Sequence, residues 1–229
     1  MDNIMVEIKF RSGFAIHSGY GLAGVLDNTI MRDARGLPYI PASTIKGNVR
    51  EACNEVSLLL GKKCFSRVVD EIKSILENGG DINNRDSYSY TTQIFGTPFI
   101  EPAFEFRSAY LDFPSWKEKE LKEVMSWNEA HTSIDPHTGT ALEDHLFCYE
   151  VVSHLSPESA PLTFHFEIIP NKYAKDELVG FLFCGMRMVE HIGASKTRGK
   201  GLVTLEIKTP YNGKDLKEWI GMIFNDKRS

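Results

Sequence analysis

This sequence has no CxxC pair, no apolar run near the roughly 20 residues that span a bilayer, and no surplus of positive charge. Each lack removes a class of protein. Cys53, Cys64, Cys148 and Cys184 stand far apart, and no His or Cys lies at zinc-ligand spacing, so buried free thiols in a reducing compartment are expected. The opening MDNIMVEIKF has no apolar stretch with a basic flank, so no secretory signal is expected there. We expect a soluble, cytoplasmic chain without membrane partners. The net charge of -5 and pI of about 5.8 exclude a protein that binds nucleic acid with its whole surface. Internal repeats and low-complexity tracts are also lacking. What remains, 229 residues of which 42% are hydrophobic, fits one domain or one domain with large insertions.

The charge that is there is segregated. From Ala34 to Arg50 there is no acid, against Arg35, Lys46 and Arg50; from Ile192 to Thr204 there is again none, against Lys196, Arg198 and Lys200. The acids gather in Lys117–Glu129 and around Glu143–Asp144. Local fields of this kind matter more for an anionic ligand than the total.

Period-two alternation predicts strands over Met5–Phe10 (with Phe14–Ile16 as an extension past a bulge at Gly13), Phe104–Leu111, Leu162–Ile168 and Leu202–Lys208. Helical spacing predicts helices from Ser43 or Thr44, as N-cap, to Gly61, over Val68–Leu76, over Asp176–His191 and over Leu216–Phe224. Trp116–Trp127 reads as a solvated helix and Gly79–Ser89 as a mobile loop. Asn128–Asp144 reads as a protruding hairpin, with Leu146–Val152 as its returning strand. The core order β-α-β-β-α-β predicts an α+β fold with a ferredoxin-like, RRM-like core. Insertions fall at about 17–42, 66–102 and 112–160.

Two stretches carry chemistry. In Gly193–Gly201, GASKTRGKG, glycines bracket three cations, a pattern suited to close approach of a phosphate. It is no Walker loop, because it leads into a strand and lacks the terminal GKT or GKS. Its plain reading is a helix end followed by a surface turn. In Ile40–Arg50, IPASTIKGNVR, small and hydroxyl residues start a helix, where free N–H groups, the helix dipole and Lys46 favour an anion. The plain reading there is an ordinary capped helix.

Together with Asp27-Asn28-Thr29-Ile30-Met31-Arg32-Asp33 and Gly36-Leu37-Pro38, these stretches resemble the RAMP superfamily of CRISPR proteins. The resemblance is to the Cas-seven-like backbone subunit of type III effector complexes. Ile94-Phe95-Gly96, Phe106–Leu111 and Ser133-Ile134-Asp135-Pro136 with Thr138 match further parts in order; Thr29 and Ala42 depart from the family's proline and glycine. The resemblance implies head-to-tail copies of the chain in a filament along a crRNA, with other type III subunits as partners and a target RNA paired to the guide. It implies a thumb at about 128–145 that wedges into the duplex with Ser133 and Ile134. RNA contacts are then expected from His17, Ser18, Gly19, Arg35, Ser43, Thr44, Lys46, Gly47, Arg50, Lys196, Arg198 and Lys200. It also implies target-RNA cleavage at periodic sites by Asp27, with Mg²⁺ or another divalent metal held transiently there. The plain reading of Asp27 is a turn residue, and that of Asp33 a structural partner of Arg32, Arg35 or backbone N–H groups. A non-catalytic RNA-binding and assembly subunit is the alternative. A repeat-RNA processing endonuclease using His17, or an unrelated small-molecule binder, stands further back.

Overall fold

The computed structural model describes residues 2–65, 67–111, 125–155, 161–208 and 210–225. Strand β1 (Ile4–Phe10) runs inside the main sheet, with Ile4, Val6, Ile8 and Phe10 buried on one face and Glu7 and Lys9 on the other. It pairs antiparallel with β7 (Thr163–Pro170) on one side and β8 (Val203–Ile207) on the other. In register, Ile8 lies between Phe164 and Leu205. β7 also pairs with β3 (Phe104–Phe106) and β4 (Ala109–Leu111), and β4 carries the short β2 (Tyr39–Ile40), giving the order β2-β4-β7-β1-β8.

The apolar face is covered by α1 (Ala42–Leu59) and α4 (Asp176–Met188), whose Ile45, Val49, Phe181 and Leu182 join the strand residues in one core. Helix α5 (Leu216–Asn225) packs on α4, anchored by the buried Trp219, whose indole N–H donates to Tyr211 O at 3.1 Å. Helices α2 (Val68–Glu77) and α3 (Tyr90–Phe95) sit within the longest connection. The Gly79–Ser89 stretch is tied down: Arg85 donates to Gln93 O at 2.9 Å, Tyr88 to Ile82 O at 2.8 Å, and the buried Glu71 accepts from Ser89 N.

The structure differs from expectation at several boundaries. Helix α1 starts after Pro41 and has no side-chain N-cap, so Ser43 and Thr44 lie within its first turn. The proline fixes the extended approach, and the donor at Ala42 is satisfied from the link between β3 and β4, by Ser108 Oγ at 3.1 Å. A local pattern cannot report a cap supplied from elsewhere in the chain. The Trp116–Trp127 helix falls partly outside the described residues, and its last two residues, Ser126 and Trp127, begin β5 (Ser126–Ile134). Helix α4 stops at Met188, short of His191. Phe14 does not extend β1; it bridges to Val152, the last residue of β6 (Ala141–Val152).

Strands β5 and β6 form a separate antiparallel hairpin closed by the Asp135–Thr140 turn, in which Gly139 N donates to Asp135 O at 2.8 Å. At about 3.3 Å per residue, its tip stands roughly 25 Å from its root. The root meets the rest of the chain through Phe14, whose N–H donates to Val152 O at 3.0 Å and whose O accepts from Val152 N at 2.7 Å.

Candidate nucleic-acid interface

The segment from Asp27 to Arg50 begins with a backbone bridge along the free edge of β6. Asp27 N donates to Cys148 O at 2.8 Å, and Glu150 N donates to Asn28 O at 3.0 Å, a parallel pairing. The Asp27 carboxylate turns back on the same strand and accepts from Cys148 N at 2.6 Å. Behind it, Glu150 accepts from Ile30 N at 3.1 Å, from Ser126 Oγ, and from its ion-pair partner Arg32. Burial alone would raise the Glu150 pKa, but the bonds from Ser126, Ile30 and Arg32 outweigh it and hold the carboxyl below its ordinary value. Asp33 accepts from Arg35 N at 2.9 Å and Leu37 N at 3.0 Å and pairs with the Arg35 guanidinium, the structural part that spacing had suggested. Arg35 lines an open cleft of about 510 Å³ with Ser108 and the stacked Tyr39 and Tyr110.

The Gly193–Gly201 stretch lies against one face of the hairpin root. On that face cross-strand pairing sets Trp127 opposite Val151, Glu129 opposite Tyr149 and His131 opposite Phe147. A short 3-10 turn, Lys196–Arg198, follows Ser195, which holds left-handed backbone at φ 61°. Ser195 Oγ donates to the Tyr149 hydroxyl at 3.2 Å, and Arg198 reaches the same oxygen at 3.5 Å with its guanidinium 5.6 Å from the Phe147 ring centre. Lys200 pairs with Glu129 and lies 5.3 Å from the Trp127 ring centre. Glu129 also accepts from Trp127 Nε1 at 2.9 Å. Burial pushes its pKa up, yet Lys200, Trp127 and His131 together take it below the ordinary carboxylate value.

The glycines of this loop serve chain-to-chain approach more than ligand approach. A Cβ on Gly201 would fall 2.2 Å from Ile192 O, and one on Gly193 would fall 2.6 Å from Ala15 O. Both hold positive φ. Only Gly199 of the three faces open space.

The loop meets α1 as well: Lys196 donates to Asn48 Oδ1 at 3.2 Å and lies 3.8 Å from Glu51. These residues border an open cleft of about 420 Å³ together with Glu55, Arg187 and His191. Lys46 and Arg50 are elsewhere. Helical spacing sets them on the opposite flank of α1 from Asn48 and Glu51, and the Arg50 guanidinium rests 5.1 Å from the Phe95 ring centre. Burial, then the Arg50 charge, push the Lys46 pKa down, and Lys46 has no ion pair among the described residues. The six cations therefore do not share one trough. Ser43 and Gly47 lie on the exposed crest of the helix between the two flanks.

His17 is packed edge-on against Tyr149 at 5.4 Å, and its Nε2 is buried without a hydrogen-bond partner. Burial lowers its pKa, so the ring is neutral. With Nε2 buried, that nitrogen cannot reach a ribose hydroxyl as it stands, which counts against a general base there. The Ser18 hydroxyl is engaged with Thr29 Oγ1 at 2.9 Å, while Gly19 borders open space. Ser133 and Ile134 sit at the hairpin tip, Ile134 being 63% exposed. Among the described residues no group of three or more His, Cys, Asp or Glu gathers, at Asp27 or elsewhere.

Sequence reasoning missed Trp127, Glu129, His131, Phe147, Tyr149 and Asn48. The signal for all but Asn48 was alternation along β5 and β6; the expected helix ending at Trp127 obscured it for Trp127, and the other four lie in the stretches read as the hairpin and its returning strand.

Fold and site define an α+β protein whose basic loop seats against the ring-bearing root of a long hairpin. The RAMP superfamily model matches residues 7–204, and the chain belongs to that superfamily. No curated protein matches the sequence. Among solved structures, the Type III-B Cmr-beta bound to cognate target RNA, determined by cryo-EM, contains a chain of similar fold. That similarity has a TM-score of 0.59 at 13% identity and covers 90% of this chain and 97% of that one. No helix among the described residues is long and apolar enough to cross a membrane.

Proposed function

We propose that this protein is a crRNA-binding backbone subunit of a type III CRISPR effector complex. It grips guide RNA at the surface where the glycine loop meets α1 and the hairpin root, and presents the hairpin as a thumb to the paired target RNA. The observation that carries this is the seating of Lys196, Arg198 and Lys200 between α1 and the ring-bearing face of β5 and β6. Superfamily membership supports it, as does the fold shared with a type III-B protein that is bound to target RNA. We read the sheet order β4-β7-β1-β8, with α1 and α4 on one face, as the ferredoxin-like core of a single domain, with insertions at about 17–42, 66–102 and 112–160 and a thumb at about 128–145. Copies of the chain then line up along the guide with other subunits of the complex.

Asp27 is the residue assigned to target cleavage. RNA supplies its own 2′-hydroxyl as nucleophile, so the protein has chiefly to hold the scissile phosphate in line. One free carboxylate oxygen suits Mg²⁺, which binds through one or two carboxylates and completes its shell with phosphate and water. Bound there, the ion would neutralise charge on the phosphate. The Cys148 N–H that holds Asp27 fixes where that carboxylate stands.

The same bond favours a second reading, in which Asp27 is a latch for β6 and the subunit binds without cutting. Asp27→Asn separates the two, because an amide oxygen can keep the Cys148 bond while the charge is lost. In the assembled complex we expect guide binding within about twofold of wild type and no target cleavage; cleavage retained by the variant removes Asp27 from the reaction, and a wild-type complex that leaves target RNA intact supports the binding-only subunit. The grip itself is tested by changing Lys196, Arg198 and Lys200 together to Ala, which should strip co-purifying RNA.

A further inference from the structure

We propose that His131 and Phe147, with Arg198 above them, form a nucleobase platform that takes one unstacked base of single-stranded RNA at the hairpin root. This rests on the RNA-gripping reading and adds what the base, as distinct from the phosphate, would contact. The three rings on this face are nearly parallel: His131 lies 4.9 Å from Tyr149 at 7° and 5.6 Å from Phe147 at 23°, and Phe147 lies 6.3 Å from Tyr149 at 17°. Their centres form a triangle, with His131 on β5 packed across both rings of β6.

The root side and the tip side of that cluster differ. The Tyr149 end is closed, since the ring is 4% exposed, the edge of His17 abuts it, and its hydroxyl is taken by Ser195 and Arg198. The Phe147 and His131 end is half-buried and points along the strands toward the tip. A ladder that served only to hold the hairpin together would not need an open end. Nor would it need a guanidinium lying over the outer ring while bonded to the hydroxyl of the inner one. Planar rings beside fixed cations are the usual grip on a single strand: the base stacks, and the charge meets the adjoining phosphate. Every base has a π-face, so the platform stacks bases regardless of sequence. Lys200 over Trp127, one step nearer the root, continues the same pairing of ring and cation.

The test uses the full chain and a single-stranded RNA in which 2-aminopurine replaces adenine, since stacking on an aromatic ring quenches that base. Wild type should bind with quenching. Phe147→Leu, which keeps bulk and loses the ring, should bind about tenfold more weakly and without quenching, and Phe147→Trp should restore both. His131→Leu, which leaves Phe147 in place, is the second arm and should weaken binding and quenching in the same direction. Circular dichroism confirms that each variant is folded. Phe147→Leu and His131→Leu proteins that bind and quench like wild type overturn the platform while leaving the RNA grip intact. A wild-type chain that binds no RNA overturns the grip, and the platform with it.

Discussion

The sheet-and-helix layer and the hairpin are built on opposite terms. The layer is dry: Phe10, Phe14 and Phe164 pack at 3.8 to 5.8 Å between ring centres, and the strand faces of β1, β7 and β8 are buried against α1 and α4. The hairpin has almost no core of its own beyond Ala15, Tyr149 and Val151, with Phe147 packed against them. It stands on charge pairs instead, Glu150 with Arg32 on one side and Glu129 with Lys200 on the other. Burial of apolar area stabilises the first in a way that depends little on the ionisation of single side chains. Ion pairs hold the second in a way that salt and pH can both loosen. A nucleic-acid grip needs the second kind, because partners already charged can exchange an internal acid for a phosphate.

The sharpest break of this contrast is Phe164→Ala. Removing a ring that is fully buried between two others should cost about 3–5 kcal/mol and lower the denaturation midpoint of the whole molecule. Glu150→Ala should cost less, about 2 kcal/mol for the donors it strands, and the loss should be local. Hydrogen exchange should quicken in β5, β6 and Asp27–Ile30 while β1 and β7 stay protected. Equal exposure of both regions would show that they are one cooperative unit.

Acid should act along the same line. Glu129 and Glu150 both have pKa values below the ordinary carboxylate value of about 4.3, so their stabilisation is complete above that value and is lost as pH falls through the lower, folded-state pKa. Below about pH 4 the root should loosen before the core, seen as movement of the Trp127 indole N–H resonance, whose acceptor is Glu129. The smallest effect sharpens the comparison. Glu129→Gln removes the acid that competes for Lys200, so single-stranded RNA should bind two- to threefold tighter, with a salt dependence steeper by about one counterion.

Much of the fold was readable residue by residue. Ile4, Val6, Ile8 and Phe10 alternate, and so do Phe164, Phe166 and Ile168, and each run is a strand with that face buried. The hairpin was foreseen around Asp135-Pro136, although β5 begins inside the stretch read as a helix. The site was less legible. Its basic loop announced itself by composition, yet the residues that meet it, Tyr149, Phe147, Glu129 and Asn48, come from three other parts of the chain and carry no joint local pattern.

Sequence alone determined the main strands and helices of the core and where positive charge gathers, because side-chain period and composition are properties of neighbours along the chain. Tertiary structure decided which cations work together. Lys196 meets Asn48 while Lys46 and Arg50 turn to the Phe95 side, since the rotation of α1 about its axis is set by the core residues Ile45, Val49 and Cys53 on its buried face. It also decided that Asp27 is held by the backbone of β6, a contact between residues 121 positions apart.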